Sequence, residues 1–269
     1  MRLAFCFLIK NDINHIEMWE DFFKNAKPER YRIYIHKSEA NEPCSSNFVS
    51  QHLINQTVLT EWGGDLYSAI KLLYKKAYDD LCTKYILLSE STIPVRSFST
   101  IYKKLSKFPN KSSINYLQKI PKNVNEKNTH ITSLQRFINN SNRCSLFAYN
   151  IDITHWYYAD MWTILTREHV NLILNDETIM SYFENAFAWD ENYPMYVLSF
   201  FNELDNIKRE KTTFVNWKEP VYHNDHSKSP KEYTIVTSED IDYIKKKSSV
   251  LFARKFSKDS NIKCFLTYK

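Results

Sequence analysis

Residues 85–94 read YILLSESTIP, an apolar run that ends abruptly in polar residues. The run is continuous and does not alternate with polar residues, which is typical of a strand buried on both faces of a parallel sheet. Ligands of such sheets bind at the carboxyl edge of the strands, which is where this pattern places Ser89, Glu90 and Ser91. Because polar residues end most strands, this segment alone fits both a binding site and an ordinary strand end.

Short apolar runs and helical repeats alternate on both sides of this segment. The residues Leu66, Ile70, Leu73, Ala77 and Leu81 recur at the spacing of one buried helical face. The alternation predicts an α/β fold, in which a mostly parallel central sheet is flanked by helices. The predicted strands are residues 3–9, 31–35, 57–59, 85–88 and 161–165. Predicted helices cover residues 98–105, 168–174 and 177–187, and two more begin near Asp65, as N-cap, and just after 189–191.

The chain has 269 residues, a length that favours a single domain over residues 1–269. Residues 109–142 are rich in Lys, Asn and Ser and have weak periodicity. We expect them to form a long surface excursion, and loops of that length in compact domains are often lids or binding loops.

Motif arithmetic excludes several classes of site. The only two glycines, Gly63 and Gly64, are adjacent, so neither GxGxxG nor the P-loop pattern occurs in this chain. Side chains and ordinary backbone must therefore hold any bound nucleotide. The five cysteines have no zinc-ligand spacing and the eight histidines form no HxH or HExxH pattern, so no metal site is predicted.

Charge and hydropathy bear on partners and location. A net charge of +5 arises from 36 basic and 31 acidic residues spread along the chain, which is typical of a solvated surface. The apolar run at residues 3–9 is too short to span a membrane, and no later window reaches 18 apolar residues. The cysteines are odd in number, which favours a reducing compartment. We expect a cytoplasmic protein without an integral membrane segment, in the host cytoplasm if the chain is viral.

The pair Asp190-Glu191 lies just before a predicted helix that carries Pro194 in its first turn. One interpretation is structural, since acidic residues at a helix N-terminus complement the macrodipole. The other is catalytic, since a carboxylate beside Trp189 and Tyr193 would be partly desolvated and suited to act as a general base. The spacing alone fits both interpretations.

Two further patterns have both a structural and a functional interpretation. Arg254 and Lys255 follow the apolar residues 250–253 and are either surface charges or two cations for a diphosphate. An aromatic stripe either stacks on an acceptor sugar or belongs to the core. Its members are Trp156, Tyr157, Tyr158 and Trp162.

Several segments occur together in one order: YILLSESTIP at 85–94, WDENYP at 189–194 and SVLFARKF at 249–256, with support from 4–8, 18–23, 34–36, 61–64 and 214–217. In this order they resemble the core-2/I-branching β-1,6-N-acetylglucosaminyltransferases, a glycosyltransferase family 14-like group, and in particular its short plant and viral relatives. The strings LLSESxIP and LFARKF are the most specific. The resemblance covers nearly the whole chain.

The resemblance implies a GT-A type fold and transfer of a sugar from a UDP-sugar to a glycan hydroxyl, with inversion and without a metal ion. UDP-N-acetylglucosamine is the favoured donor, and UDP-xylose and UDP-glucuronic acid are alternatives. The UDP-sugar is a substrate, so no cofactor is expected. Nucleic acid is not an expected partner.

The resemblance also implies roles for individual residues. Glu191 matches the catalytic base, Lys255 matches the basic residue that neutralises the diphosphate, and Lys231 falls near the second phosphate-binding residue. The full implied donor site is His36, Gly64, Glu90, Ser91, Lys231, Arg254 and Lys255, and the implied acceptor side is Trp156, Tyr158, Trp162 and Asp190.

One region departs from the family pattern. Residues 155–162 retain little of the family's Trp-Arg-Lys-Gly-Ser-Gln-Trp motif beyond the tryptophans, so the acceptor is not defined by resemblance. An alternative is a catalytically silent sugar- or polyanion-binding protein on the same fold. The combination of Glu191 with Lys255 argues against it, because a pure binder needs no base. A nucleic-acid module, which would bind with steep salt dependence, rests only on the C-terminal lysines and the aromatic residues.

Overall fold

The computed structural model describes residues 1–38, 43, 46–60, 65–118, 152–183, 189–222 and 228–262. The strands are β1 Leu3–Ile9, β2 Tyr31–Lys37, β3 Lys84–Ser89, β4 Ile93–Pro94, β5 Ser112–Ile114, β6 Tyr116–Leu117, β7 Tyr158–Ala159, β8 Ile164–Thr166, β9 Ile207–Arg209, β10 Thr213–Val215, β11 Val221–Tyr222, β12 Lys228–Ser229 and β13 Phe252–Arg254. The helices are α1 Ile16–Lys24, α2 Asn47–His52, α3 Tyr67–Asp79, α4 Phe98–Ser106, α5 Arg167–Asn175, α6 Thr178–Phe183, α7 Tyr193–Phe200 and α8 Ser238–Lys245.

The central sheet has six strands in the order β2-β1-β3-β8-β5-β9. Strands β2, β1 and β3 are parallel, β9 is parallel to β5, and β8 runs antiparallel to both of its neighbours. The predicted α/β class with a mostly parallel central sheet is confirmed. The arrangement agrees with the GT-A type that the resemblance implies.

Two apolar layers cover this sheet. On one face α3, α5 and α7 pack against alternate residues of the strands, with Ile70, Leu73 and Ile173 fully buried. On the other face α1 and α4 contribute Trp19 and Phe98, among others. Each such side chain stabilises the fold by roughly 1.5–3 kcal/mol through removal of apolar surface from water.

A smaller sheet of three strands, β10-β13-β4, lies beside the central one. Its own apolar cluster includes Ile93, Phe214, Ile241, Ala253 and Phe256. Strand β13 runs antiparallel to β4, which directly follows the polar turn after β3. The small sheet therefore carries the end of β13 to the carboxyl edge of the central sheet.

Local capping defines the predicted helix starts. The carboxylate of Asp65, just before α3, accepts a hydrogen bond at 2.9 Å from the backbone N–H of Ser68 in the first turn of that helix. The Ser97 hydroxyl accepts one from Thr100 N–H at 3.3 Å and starts α4. These contacts satisfy backbone donors that a helix N-terminus otherwise leaves unpaired. The predictions of α3, α4, α5 and α7 are confirmed, with Pro194 in the first turn of α7. The assignment of Leu81 to the buried face of α3 is wrong, because this residue lies beyond the end of that helix and is 67% exposed.

The predicted strand at residues 57–59 is wrong. Those residues form no strand, and the side chain of Leu59 is 91% exposed. The backbone N–H of Val58 donates to the imidazole of His36 at 3.0 Å instead of joining a sheet ladder. The predicted strand at 161–165 is shifted to Ile164–Thr166, and the predicted helix at 177–187 is seen as Thr178–Phe183, its last residues lying outside the described ones.

The predicted surface excursion at 109–142 is wrong at its start. Residues 112–114 form β5, which is buried in the central sheet between β8 and β9. A polar strand is buried here because its hydroxyls are satisfied: Ser112 Oγ lies 2.7 Å from His169 Nδ1, and Ser113 Oγ donates to Glu210 at 2.8 Å. Residues 119–142 lie outside the described residues.

We expect stability to fall on acidification because of His169. Burial lowers the pKa of this side chain, opposed by Glu203. In the unfolded chain this histidine has a pKa near 6.5, so it binds a proton there at a higher pH than in the folded protein. The contribution of His169 to the free energy of unfolding is therefore fully present above about pH 6.5 and is lost as the pH falls below it. Urea unfolding at pH 7.5 and pH 5 measures the loss, and a His169→Gln variant that unfolds with the same pH dependence as the wild type would contradict this assignment.

Candidate active site

The three parallel strands end at one edge of the central sheet. Leu8 of β1 pairs with His36 of β2 on one side and with Ser89 of β3 on the other. In-register residues of neighbouring strands share a sheet face, so His36 and Ser89 flank Leu8 at this edge. The sheet thus brings together two predicted donor-site segments, one at each side of β1.

The polar segment after β3 is a tight turn. Thr92 N–H donates to the Ser89 carbonyl at 3.1 Å, and Ser89 N–H donates to Thr92 Oγ1 at 3.1 Å. Ser91 is buried, and its carbonyl accepts from Phe256 N–H at 3.0 Å. Since Phe256 directly follows Arg254 and Lys255, the turn lies beside the two predicted cations.

Asn14 ties these segments together, and the sequence interpretation missed it. Its backbone N–H donates to the Glu90 carbonyl at 3.0 Å, and its side-chain amide donates to the Phe256 carbonyl at 2.7 Å. Asn14 lies in the loop that follows β1, so the rule that ligand sites form after the ends of parallel strands was the available signal. The residues after β1, β3 and β13 therefore form one polar cluster.

The Arg254 guanidinium lies against an aromatic ring, and a nearby carboxylate acts on it electrostatically. Its guanidinium carbon lies 4.0 Å from the centroid of the Trp162 ring. Burial lowers its pKa to about 10, and the nearby Glu90 carboxylate opposes that shift. Its Nε is buried and has no hydrogen-bond partner among the described residues. A guanidinium with a buried, unused donor is suited to bind an anion.

Lys255 lies next to this group. Burial and the neighbouring Arg254 lower its pKa, while Glu90 and Glu232 raise it. Arg254 thus destabilises the charge of the adjacent Lys255. An added anion would relieve that repulsion, so the cluster has the electrostatics of an anion site.

Lys231 is joined to this cluster through the backbone. Tyr233 N–H donates to the Lys255 carbonyl at 2.8 Å, and Lys231 N–H donates to the Asn216 carbonyl at 2.9 Å. The Lys231 ammonium forms an ion pair with Glu219 at 2.7 Å, and this hydrogen bond raises the pKa of Lys231. Both side chains are solvent-accessible, so this pair is weak and a phosphate would compete with it.

Asp190 and Glu191 lie in a single 3-10 turn, Trp189–Glu191, just before α7. Asp190 is buried and Glu191 is half-buried. Trp189 packs against Tyr67 with ring centroids 5.3 Å apart, so the turn rests on the aromatic core. The N-cap position of α7 is Asn192, and its side chain makes no capping hydrogen bond, so neither Asp190 nor Glu191 is the N-cap residue of this helix.

The comparison with known families decides which group this chain belongs to. The Core-2/I-Branching enzyme family matches residues 3–245. The chain belongs to this family. The matched region includes the Ser89–Thr92 turn and Glu191 and ends before Arg254 and Lys255. Core-2/I-branching enzymes are glycosyltransferases.

One curated relative and one solved structure are similar to this family member. Glycosyltransferase BC10 of Oryza sativa subsp. japonica is 23% identical over 195 residues, which are 68% of this chain and 43% of the rice protein. The chain therefore spans less than half of the length of that relative. The crystal structure of mannose-1-phosphate geranyltransferase from Thermus thermophilus is 9% identical, with a TM-score of 0.27 over 65% of this chain and 53% of that one, a likeness too low to inform the fold.

In this core-2/I-branching chain His36 is buried at the end of β2. Its Nε2 accepts the hydrogen bond from Val58 N–H, and burial lowers its pKa, so the neutral ring carries its proton on Nδ1. That Nδ1 is buried and has no partner within the described part of the chain. The other predicted donor residue of this region, Gly64, lies outside the described residues.

The acceptor-side prediction is wrong for Trp156. This ring is 1% exposed, stacks on Phe183 at 5.8 Å and meets Tyr158 edge-on at 6.1 Å, so it belongs to the core and has no free face for a sugar. Tyr158 and Trp162 are half-buried. Because its ring lies against Arg254, Trp162 borders the predicted donor residues Glu90, Ser91, Arg254 and Lys255, here called the donor cluster.

No group of three or more His, Cys, Asp or Glu side chains placed to hold a metal ion occurs among the residues that the structure describes. Within the same residues, no helix has the length and apolar character needed to cross a membrane.

Proposed function

We propose that this protein transfers a sugar from a UDP-sugar to a glycan hydroxyl, with inversion and without a metal ion. The observation that carries this proposal is the pair Arg254 and Lys255 beside the Ser89–Thr92 turn, at the carboxyl edge of β3. UDP-N-acetylglucosamine is the proposed donor, with UDP-xylose and UDP-glucuronic acid as alternatives.

The two cations stabilise the leaving group in this proposal. As the bond between the anomeric carbon and the diphosphate oxygen breaks, UDP takes the electron pair and gains negative charge. Fixed cations placed at that oxygen lower the barrier without reorganisation. The pKa of Arg254, about 10, keeps it charged at neutral pH. Lys231 would leave Glu219 and add a third positive charge.

Glu191 is the proposed general base. It removes the proton of the acceptor hydroxyl while that oxygen bonds to the anomeric carbon from the face opposite UDP, so the configuration inverts. The half-buried position on the 3-10 turn supports this role, because the turn is fixed by Trp189 in the core. A fixed carboxylate loses little entropy when it meets its substrate.

The donor chemistry of the turn supports metal independence. Metal-dependent relatives would need several oxygen ligands for Mg²⁺ or Mn²⁺ near the diphosphate. The segment Ser89-Glu90-Ser91 offers one carboxylate, and Glu90 acts electrostatically on Arg254 and Lys255. We infer that these cations supply the charge that an ion supplies elsewhere.

Release of UDP tests the proposal directly. The protein is incubated with UDP-N-acetylglucosamine, UDP-xylose or UDP-glucuronic acid, with a mixed glycan acceptor, and with or without EDTA. We expect release that is selective for one donor and unchanged within about twofold by EDTA, since no step needs an ion. Loss of activity in EDTA that Mn²⁺ restores would contradict the metal-independent mechanism.

The same experiment separates the alternative of a silent binding protein. Calorimetric titration with UDP measures binding. UDP binding without release from any donor would support that alternative. If the protein neither binds UDP nor releases it from any donor, the nucleotide site itself is contradicted.

A further inference from the structure

A groove runs along α5, and its lining includes none of the residues of the donor cluster. It consists of two adjoining cavities of about 420 and 300 Å³ that share Asn171 and Leu172. Helices α6 and α7 form its other walls. Its volume is in the range that holds a ligand of several rings.

Two exposed aromatic rings lie at one end of the groove. Phe200 and Phe201 are 49% and 44% exposed, and their ring centroids lie 5.4 Å apart at an interplanar angle of 86°. Asn202 follows with a φ of 60°, a left-handed conformation that ends the helix. Large apolar side chains exposed within a concave surface are typical of binding sites.

Amide groups of α5 line the same groove. Asn171 Oδ1 accepts hydrogen bonds from Tyr78 Oη at 2.9 Å and from Asn175 Nδ2 at 3.0 Å. Asn175 Nδ2 also donates to the Asn171 carbonyl at 2.8 Å. These bonds orient both amides and, among the described residues, leave Asn171 Nδ2 as a donor and Asn175 Oδ1 as an acceptor for a ligand.

The charges of the groove disfavour an anionic ligand. The carboxylates of Glu168, Glu177 and Glu203 line it. Among the described lining residues the one cationic side chain is Arg167, which already donates to the Tyr78 carbonyl at 2.8 Å and lies 3.5 Å from the Tyr78 ring centroid. An anion would therefore meet acidic groups without an available counter-charge.

We infer that this groove binds a neutral oligosaccharide, at a site apart from the proposed catalytic base. Aromatic rings pack on the apolar faces of sugar rings, and the amides bond to hydroxyls. Helix α7 begins two residues after Glu191 and ends at Phe200, and its residues from Tyr193 to Ser199 are buried, so the base and the groove lie at opposite ends of a buried helix.

Titration without donor tests this inference. The probes are xylohexaose, cellohexaose, chitohexaose and maltohexaose, added to wild type, Phe201→Ala and Phe108→Ala, with calorimetric detection. Phe108 is a matched control, because it is also 44% exposed but lies just after α4, outside the groove. We expect at least one probe to bind, with affinity lowered about tenfold by Phe201→Ala and unchanged by Phe108→Ala. Asn175→Ala, an exposed change, should weaken the same probe.

Other results overturn the inference. They are binding of none of the four probes, equal binding to wild type and Phe201→Ala, or equal losses in Phe201→Ala and Phe108→Ala. A concentration-dependent dimer that Phe201→Ala abolishes, without oligosaccharide binding, would assign the groove to a second copy of the chain. Since no donor is present, a failure here leaves UDP release unaffected, and a failure of UDP release leaves the titration valid.

Discussion

Replacing Glu191 with Gln will lower the turnover number for sugar transfer by about 10²–10⁴-fold, the usual contribution of a general base. The amide has the same shape but cannot take the proton of the acceptor hydroxyl. The proposed donor site is built from residues at the ends of β1, β3 and β13, and Glu191 lies on a separate turn before α7. UDP affinity should therefore change less than about twofold. Initial rates of UDP release at saturating donor, together with UDP titration, measure both quantities.

A matched variant guards this prediction against a general charge effect. Glu20→Gln makes the same chemical change at an exposed position of α1 and should retain wild-type turnover. A Glu191→Gln variant that is folded and within about threefold of wild-type turnover would remove Glu191 from the role of base. Loss of UDP binding in that variant would instead place Glu191 in the donor site.

Removing the charge of Lys255 will produce the second large effect. Lys255→Met keeps the length of the side chain, and we expect it to lower kcat/KM for the donor about 10²–10³-fold, the range seen when one stabilising group of a developing anion is lost. Arg254→Met should act in the same direction. UDP titration of both variants measures the ground-state part, and UDP release measures the whole effect.

The control for these variants is Lys258→Met, because Lys258 is an exposed lysine three positions further on. It should bind UDP and turn over donor like the wild type. Normal turnover in Lys255→Met and Arg254→Met would contradict the proposal that these cations replace a metal ion.

The pH dependence of UDP binding follows from the same pair. Because burial and Arg254 lower the pKa of Lys255, its charge is lost at a lower pH than that of an ordinary lysine, near 10.4. UDP affinity should therefore decline as the pH rises towards the lowered pKa of Lys255. The Lys255→Met variant should show a smaller decline, because only Arg254, whose pKa is about 10, then loses its charge at high pH.

The order and type of the main elements followed from local sequence patterns. The strands β1 and β3 are continuous apolar runs, and α3 repeats its apolar residues at one helical face. Such patterns are determined within a few residues, because burial on one face of a strand or helix fixes the spacing of apolar side chains. The segment 85–94 therefore placed the polar turn at a strand end correctly.

Several positions could not be read from local patterns. Residues 112–114 look like loop sequence, and they become a central strand only because His169 and Glu210 satisfy their hydroxyls. Trp156 fitted both a sugar platform and a core residue, and contact with Phe183 decided for the core. In each case the deciding partner lies tens of residues away in the sequence.

The sequence by itself determined the α/β class, the main helices and strands, and the motifs that identify a core-2/I-branching enzyme. Only the tertiary structure decided that Asn14, Ser91 and Phe256 meet in one polar cluster, and that Trp162 supports Arg254. The reason is physical: periodic burial is a property of neighbouring residues, whereas a hydrogen bond between distant segments depends on how whole strands and helices pack.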